Sequence, residues 1–378
     1  MRIAVLGAGA MGRVASRLLG RRQDVDVVVV DADDDRAKKV AAEVGGEART
    51  VDVSSGELAG ALEGISAVAS CLPYRLNVKA MEAALAAKCH YADLGGLYHM
   101  TKKQLELNDR FRDAGVSAVL GIGSAPGLTN VLARLGTDSL DRAVSVDLVD
   151  GAIQETGGFG VPYSAETVLD EFSLPSVVFE NGELLEVPAG SGEMTWVFPE
   201  PLGELTAVFT LHSELATLPQ AIPGLRDVRW RLALPPEIHS GFKLLTSIGL
   251  AGTAPVETKS GPIVPRDLLI ALLQNLPEPV GPPSDVEVID VRVSGEKGGR
   301  LASFAALLTL RPRDDLSAGA FGTALPITIA TRWMAEGKIK PGVFPPETAF
   351  DPEPFLEEIT AEGIGLKVRV EEDYSKSR

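Results

Sequence analysis

Length, composition and charge limit what this 378-residue chain can be. Hydrophobic residues make up 45% of it, enough for the cores of two domains, and the net charge of −16 argues against binding to nucleic acid or anionic lipid. Its two cysteines, Cys71 and Cys89, form no CxxC pair, so neither a disulfide framework nor a metal centre built on cysteine is indicated.

The sequence shows no targeting or membrane-spanning segment. It opens directly on an apolar strand pattern, and the later apolar runs are short and broken by charge or proline. We therefore expect a cytoplasmic protein that binds small molecules and has neither a membrane nor a nucleic acid as its partner.

The first residues have the pattern of a βαβ unit that binds a dinucleotide. An apolar run, Ile3–Leu6, leads into Gly7, Gly9 and Gly12, a helical stretch follows, and a second apolar run, Val25–Val30, ends at an acid. The first glycine permits a tight turn, the second lets backbone approach a pyrophosphate, and the third lets the helix pack closely on the strand. The predicted coenzyme contacts here are Gly7, Gly9, Ala10, Met11 and Gly12. The alternative is a tight turn in a fold that has lost its ligand.

The acid at the end of the second strand indicates which coenzyme binds. Asp31 lies about 20 residues after Gly12, the spacing of a carboxylate that binds a ribose 2′-hydroxyl. A carboxylate at this point would repel the 2′-phosphate of NADP, so we expect NAD.

Strand and helix patterns then alternate regularly up to about Ser139. The further predicted strands are Ala48–Val53, Ile65–Cys71, His90–Leu94 and Val116–Leu120. Such alternation predicts an α/β fold in which residues 1–138 form a Rossmann-type, doubly wound parallel sheet.

Ligands of a doubly wound sheet bind at the carboxyl ends of its strands. Cys71, Leu72 and Pro73 follow the fourth strand and are predicted to contact the nicotinamide half of the coenzyme. Tyr74 either packs on the nicotinamide or only forms part of the wall. Asp52, near the end of the third strand, either reaches the adenine side or caps a helix.

Polar residues also follow the fifth predicted strand. Asp93 precedes Gly95 and Gly96 and is a candidate for acid–base work, the alternative being a cap for the glycine turn. Tyr98 and His99 come just after this turn and are candidates for substrate contact.

The pattern of apolar and turn-forming residues changes after residue 138. Runs rich in Val, Thr and Phe are separated by Gly and Pro, and Glu204–Thr210 alternates as a strand with one covered face does. This pattern predicts an α+β second domain over 139–318, with a mainly antiparallel sheet, followed by C-terminal helices over 319–378. The motifs GxSxG, GxxxxGK[ST] and HExxH are absent from the sequence, and we expect no metal.

Several segments together resemble the saccharopine dehydrogenase and L-lysine 6-dehydrogenase family. They are VLGAGAMG at 5–12, CLPY at 71–74, YADLGG at 91–96, APGLTNVL at 125–132 and GVFPPE at 342–347. The resemblance is strong to about Arg134 and looser beyond it.

The resemblance implies an NAD-dependent oxidoreductase that makes or breaks a C–N bond of lysine or of a lysine-derived secondary amine. It also implies a homodimer, an active site between domains, and last helices that return to the nucleotide domain. The sequence departs from the family pattern at 210–215 and 228–236, where substrate is expected to be recognised. Two alternatives are a reductive condensation that joins an aldehyde or keto acid to an amine, and a non-catalytic NAD-binding sensor or assembly protein.

Hydride transfer from a carbon beside nitrogen requires a neutral amine, and therefore a base. Among the four histidines, His212 is our candidate because it ends a predicted strand and is followed by Glu214; the alternative is a surface or capping histidine. Arg229 and Arg231 lie on the same face of one strand and are candidates for binding a substrate carboxylate, the alternative being exposed strand charge.

Overall fold

The computed structural model describes residues 1–154, 164–276 and 281–372. Its strands are β1 (Arg2–Leu6), β2 (Asp26–Asp31), β3 (Glu47–Thr50), β4 (Ala67–Ser70), β5 (His90–Asp93), β6 (Ser117–Val119), β7 (Arg142–Gln154), β8 (Ser176–Glu180), β9 (Glu183–Val187), β10 (Met194–Val197), β11 (Glu204–Val208), β12 (Asp227–Leu234), β13 (Val256–Thr258), β14 (Gly261–Ile263), β15 (Asp285–Lys297), β16 (Arg300–Leu310), β17 (Gly342–Phe344) and β18 (Gly365–Glu372). Its helices are α1 (Ala10–Gly20), α2 (Asp34–Val44), α3 (Leu58–Ala61), α4 (Asn77–Ala86), α5 (Leu97–Leu105), α6 (Asn108–Ala114), α7 (Leu128–Asp138), α8 (Ala165–Ser173), α9 (Leu218–Ala221), α10 (Pro236–Ser247), α11 (Pro265–Gln274), α12 (Ala318–Ala335), α13 (Pro346–Ala349) and α14 (Pro352–Ala361).

The described chain divides into two compact units. The first contains Met1–Asp138, Ala216–Pro223 and Ala320–Ile364, and the second contains Ser139–Leu215, Gly224–Gly319 and the final strand β18. The structure differs here from the predicted stretch of helices over 319–378. The last strand pairs with β16 because residues 365–372 alternate polar and apolar side chains, a strand pattern rather than a helical one.

The first unit is the predicted doubly wound α/β fold. Among the described residues its sheet has seven strands in the order β17-β6-β5-β4-β1-β2-β3, and every pairing is parallel. The side chains of Ile3–Leu6 are fully buried, as expected of a central strand covered on both faces. The short strand Gly342–Phe344 lies within the region predicted to be helical, and it extends this sheet at its edge beside β6.

The second unit carries a mixed, mostly antiparallel sheet, as predicted. The main path of the sheet runs β10-β11-β12-β7-β15-β16-β18 within the described residues, with β8 and β9 attached to β12. The pair β12 and β7 is parallel, whereas the neighbouring pairs are antiparallel. One face of the sheet forms a core that includes Val149, Trp196, Ala233 and Val288.

Over the described part of the chain, no helix combines the length and the apolar character needed to cross a membrane.

Candidate active site

The glycine turn after β1 has the shape that a dinucleotide requires. Gly7 has φ +87°, in the left-handed region, and its N–H donates to the carbonyl of Val30 at 2.8 Å. A Cβ on Gly12 would lie 1.6 Å from the carbonyl oxygen of Gly7, so only glycine lets helix α1 pack this closely on the turn.

The start of α1 is open to a ligand. Gly9 and Ala10 are exposed, Met11 is half-buried, and a Cβ added to Gly9 would meet no atom within 4 Å. The first N–H groups of a helix have no acceptor within the helix, and they carry the positive end of its dipole. The residues therefore fit the linked phosphates of a nicotinamide dinucleotide.

Asp31 ends β2 next to this turn. Its carboxylate accepts from the N–H of Ala8 at 2.7 Å and from the N–H of Asp33 at 2.8 Å, which fixes it beside the glycines. The guanidinium of Arg36 lies 4.0 Å from the same carboxylate and is half exposed. A ribose hydroxyl can bond to the carboxylate, and a 2′-phosphate would be drawn to the guanidinium.

The segment after β4 lies against the glycine turn. A Cβ on Gly7 would come within 3.1 Å of the carbonyl oxygen of Cys71 and 3.3 Å of the side chain of Leu72. Burial raises the pKa of the Cys71 thiol to about 12. The thiol is therefore uncharged and lines the turn rather than acting as a nucleophile. Pro73 is exposed and leads into a 3₁₀ turn that carries the half-buried Tyr74.

Asp52 has the capping geometry that the sequence allowed. Its carboxylate accepts from the N–H of Ser54 at 2.7 Å at the start of a 3₁₀ turn, and the residue is exposed. We assign it no coenzyme contact.

Asp93 is a structural carboxylate rather than an exposed acid or base. It is 1% exposed, and its carboxylate accepts from the N–H groups of Gly95 and Gly121 at 2.9 and 2.8 Å and from the Gln104 amide at 2.5 Å. Burial raises its pKa in spite of these donors. Because its oxygens are occupied in holding the loops after β5 and β6, we correct the acid–base role considered for Asp93 to the turn-capping alternative.

The aromatic residues after this turn differ in exposure. Tyr98 is buried on α5, with its ring 5.2 Å from that of His99 in an edge arrangement, and His99 is exposed. The ammonium of Lys102 lies 5.4 Å from the Tyr98 ring. Of the two candidates, His99 is the one accessible to a ligand.

The second unit holds a histidine in a buried, acidic setting. His212 is 5% exposed, its Nδ1 bonds to the carboxylate of Glu214, and its ring lies flat on the indole of Trp230. Burial lowers the pKa of His212, but Glu214 and Glu171 outweigh burial, so the pKa is raised above its usual value. An imidazole with a raised pKa can carry a proton at neutral pH and give it to a substrate.

Further carboxylates surround this pair. Burial raises the pKa of Asp150 well above its usual value, and so do the nearby carboxylates of Glu287, Glu214 and Glu171. Glu214 and Glu171 are fully buried, and Oδ1 of Asp150 is buried without a hydrogen-bond partner in the described chain. No group of three or more His, Cys, Asp or Glu side chains in the described ranges is arranged to hold a metal ion.

The arginine pair predicted to bind a substrate carboxylate faces the other side of the sheet. Side chains alternate along a strand, so Arg229 and Arg231 point away from the face that carries Trp230 and His212. Arg229 pairs with Glu180 and Asp227, and Arg231 pairs with Asp147 and lies 4.3 Å from the Phe209 ring. The two arginines therefore lie on the opposite face of the sheet from His212, each with acidic partners, and their binding of a substrate carboxylate stays a prediction.

Several residues of this site were not singled out by the sequence. Trp230 and Thr210 lie in the two segments that diverge from the family pattern, and Glu171 and Asp150 come from other elements. Their common sequence signal is weak, because an acid or an aromatic residue within a strand or helix is ordinarily explained by packing or solubility.

The fold and the glycine turn define a nicotinamide-dinucleotide oxidoreductase. The family model for the saccharopine dehydrogenase NADP binding domain matches residues 3–119, and the model for the saccharopine dehydrogenase C-terminal domain matches residues 123–364. The chain belongs to the saccharopine dehydrogenase family.

The names of the relatives refer to different compounds. The chain is 26% identical to carboxynorspermidine synthase of Vibrio cholerae, over 97% of each chain, and 23% identical to carboxyaminopropylagmatine dehydrogenase of a Synechocystis species, over 96% of each. Its fold is similar to that of saccharopine dehydrogenase (L-Glu forming) from Saccharomyces cerevisiae, with a TM-score of 0.78, 18% identity, and coverage of 98% and 99% of the two chains.

Proposed function

We propose that this protein is an NAD(P)-dependent oxidoreductase that interconverts a secondary amine with an aldehyde and a primary amine, the amine partner being a diamine or polyamine. The observation that carries the proposal is the buried His212–Glu214 pair with Glu171 beside it. The names of two relatives, which refer to a carboxylated norspermidine and to a carboxylated aminopropylagmatine, support an amine of this class over lysine.

The reaction balances as follows in the direction of condensation. The amine nitrogen adds to the aldehyde carbon, water leaves, and the resulting iminium carbon accepts a hydride. The aldehyde carbon is reduced, the coenzyme is oxidised, and one proton is taken up from solution. The coenzyme, when bound at the glycine turn, supplies the hydride.

In this proposal, His212 accepts and donates the protons that the reaction transfers. Because Glu214 engages Nδ1, Nε2 is the ring nitrogen that exchanges a proton with substrate. The neutral ring accepts a proton from the incoming ammonium group, and the imidazolium then donates a proton to the hydroxyl group that leaves as water. Glu214 stabilises the imidazolium between these two steps.

The surrounding carboxylates favour a substrate that keeps a positive charge. Glu171 and Glu214 lie near His212, and together with Glu287 they lie near Asp150, whose ionised form is disfavoured by burial and by mutual repulsion. A second ammonium group of the substrate, away from the reacting nitrogen, would relieve that repulsion.

We further propose that NAD is preferred over NADP. The carboxylate of Asp31 is held beside the glycine turn by the N–H of Ala8, which supports a hydrogen bond from a ribose 2′-hydroxyl and repulsion of a 2′-phosphate. The opposing consideration is Arg36, which lies 4.0 Å away and could attract that phosphate.

The experiment that tests the function follows oxidation of NADH and NADPH by the purified full chain. Small aldehydes with and without an amino-acid group are each offered alone, with a monoamine, with a diamine of the same chain length, and with lysine. We expect oxidation only with paired substrates, and fastest with the diamine. Equal rates with the aldehyde alone, or no rate with any pair although the coenzyme binds, would contradict the proposal.

A further inference from the structure

The imidazole of His212 lies on the face of a buried indole. The ring centroids of His212 and Trp230 are 3.9 Å apart and the ring planes meet at 12°, so the two rings are stacked nearly parallel. Trp230 is 2% exposed, and it stands in the middle of β12.

The indole is itself held in place. Its Nε1 donates to Oγ1 of Thr210 at 2.9 Å, and Thr210 is 1% exposed. Thr210 precedes His212 by two residues, so the same short segment supplies both the hydroxyl that fixes the indole and the imidazole that rests on it. Glu214, two residues further on, holds the edge of the imidazole at Nδ1.

We propose that Trp230 is a positioning residue for proton transfer by His212: its indole fixes the plane of the imidazole and favours the protonated ring. This inference rests on the proposed function. The hydrogen bond between Nδ1 and Glu214 fixes one edge of the imidazole but not the tilt of the ring plane. The stacked indole restricts that tilt. An aromatic face also attracts a cation placed above it, and this attraction is larger in a desolvated setting.

Other charged groups that face His212 remain in place when Trp230 is changed. They are Glu214 on its own segment and Glu171 on α8, with Asp150 on β7 and Glu287 on β15 near those carboxylates. A change in the pKa of His212 after substitution of Trp230 can therefore be attributed to the loss of the indole.

The chain offers a matched control in Trp196. This tryptophan belongs to the same unit and is 6% exposed, and its Nε1 donates to Asp290 at 2.9 Å. It packs with Val149 and Ala233, which alternate with Leu148 and Trp230 along β7 and β12, so it lies on the opposite face of the sheet from His212. Removing this indole tests whether loss of any buried tryptophan in the unit has the same effect.

The experiment compares Trp230→Leu, Trp230→Phe and Trp196→Leu in the full chain. Imidazole resonances of the four histidines are titrated by NMR without substrate, and His212→Gln assigns the resonance of His212. The pH dependence of kcat is measured on the same proteins, and coenzyme binding is measured by calorimetry.

We expect Trp230→Leu to lower the pKa of His212, to reduce kcat about tenfold, and to leave coenzyme affinity within about twofold, since general acid–base catalysis depends on orientation. Trp230→Phe keeps a stacked ring and should retain most of the activity and the pKa. Trp196→Leu should leave the His212 titration unchanged. An unchanged His212 titration and pH profile in a folded Trp230→Leu protein would overturn the inference.

A second variant covers the case in which Trp230→Leu does not fold. Thr210→Val removes the hydrogen bond to the indole and keeps the shape of the core, and it should shift the His212 titration in the same direction by a smaller amount. An unchanged His212 titration in a folded Thr210→Val protein would then overturn the inference. Because NMR follows the resting protein, absence of turnover would count against the proposed function alone.

Discussion

The side-chain amide of Asn130 donates to the carboxylate of Glu347 at 2.9 Å, although the two residues are 217 positions apart in the chain. Both are buried in the first unit. Oδ1 of Asn130 meanwhile accepts from the N–H of Gly127 at 3.1 Å. One side chain thus joins the loop after β6 to the segment that follows β17, and it links two of the segments that carry the family resemblance.

Replacing Asn130 should destabilise the first unit. In Asn130→Ala the N–H of Gly127 and the carboxylate of Glu347 each lose a buried partner, and we expect a loss of about 1–3 kcal/mol. Asn130→Asp should be worse at neutral pH, because it places two carboxylates together, and acid should partly relieve it. Thermal unfolding of each variant with and without coenzyme measures these effects.

The comparison variant for Asn130 is Asn275→Ala. Asn275 is exposed at the end of α11, and its amide bonds only to the carbonyl of Ala271 among the contacts described. Equal losses in Asn130→Ala and Asn275→Ala would show that the link to Glu347 contributes little.

Substitution of Gly9 should separate coenzyme binding from folding. A Cβ at this position meets no protein atom within 4 Å, so Gly9→Ala should fold with unchanged stability. The same methyl group would occupy the space into which a pyrophosphate must fit, and we expect affinity for NADH and NADPH to fall at least about tenfold, equivalent to about 1.4 kcal/mol. Calorimetric titration of the folded protein measures this loss.

Gly60→Ala is the matched control. Gly60 also has open space where its Cβ would lie, but it stands in α3, outside the glycine turn. Coenzyme affinity should be unchanged in Gly60→Ala. If Gly9→Ala binds coenzyme as tightly as Gly60→Ala does, the phosphates do not lie beside Gly9.

The choice between NAD and NADP should depend on Asp31. Asp31→Asn removes the charge that repels a 2′-phosphate and keeps an oxygen that can accept from the N–H of Ala8. We expect the ratio of kcat/KM for NADH over NADPH to fall about tenfold or more, because one charge in direct contact with a phosphate contributes at least about 1.4 kcal/mol. Steady-state rates with the two coenzymes give this ratio directly.

Two further variants distinguish a specific effect from a general loss of charge. Asp35→Asn changes an exposed acid in the first turn of α2 and should leave the ratio unaltered. Arg36→Ala should have little effect on NADH. If the parent protein prefers NADPH and Arg36→Ala abolishes that preference, then Arg36 and not Asp31 decides the coenzyme.

The sequence predicted those parts of the molecule whose geometry is set by near neighbours in the chain. The glycine turn and Asp31 belong to one βαβ unit, in which spacing alone determines position, so the order of glycines was enough. Asp93 was placed at the correct strand end, but its partners include Gly121 on the loop after another strand. A local sequence pattern cannot show that the oxygens of this carboxylate already accept hydrogen bonds from residues elsewhere in the chain.

The second unit was harder to predict, because its site depends on register between distant strands. Alternation showed that Arg229 and Arg231 share a face, but not which face carries the site. That required the parallel pairing of β12 with β7, which aligns Trp230 with Leu148 and Arg231 with Val149 in the core. His212 became a candidate through its residue type and its neighbour Glu214. Trp230 was unremarkable in sequence because most buried tryptophans only pack.

Asp150 should cost the protein stability at neutral pH and benefit recognition of the amine. Its pKa is raised in the folded state, so the folded protein disfavours the ionised form relative to the unfolded chain, whose aspartates titrate near pH 3.9. Stability is therefore lost as pH rises above about 4, and the loss continues until pH passes the folded-state pKa. Asp150→Asn carries no such charge and should gain stability relative to the parent as pH rises from 4 to 7.

The same substitution should weaken selectivity for a doubly charged substrate. Because Asp150→Asn removes a carboxyl group that a second ammonium group would ionise and pair with, we expect KM for a diamine to rise about tenfold, a change of about 1.4 kcal/mol, while KM for a monoamine changes little. Asp147→Asn lies on the same strand but faces Arg231 on the other side of the sheet, and it should leave the diamine preference intact. Urea unfolding across pH and steady-state kinetics with the two amines measure both effects. If Asp150→Asn gains stability but keeps the parent's preference for a diamine over a monoamine, the second ammonium group does not bind near Asp150.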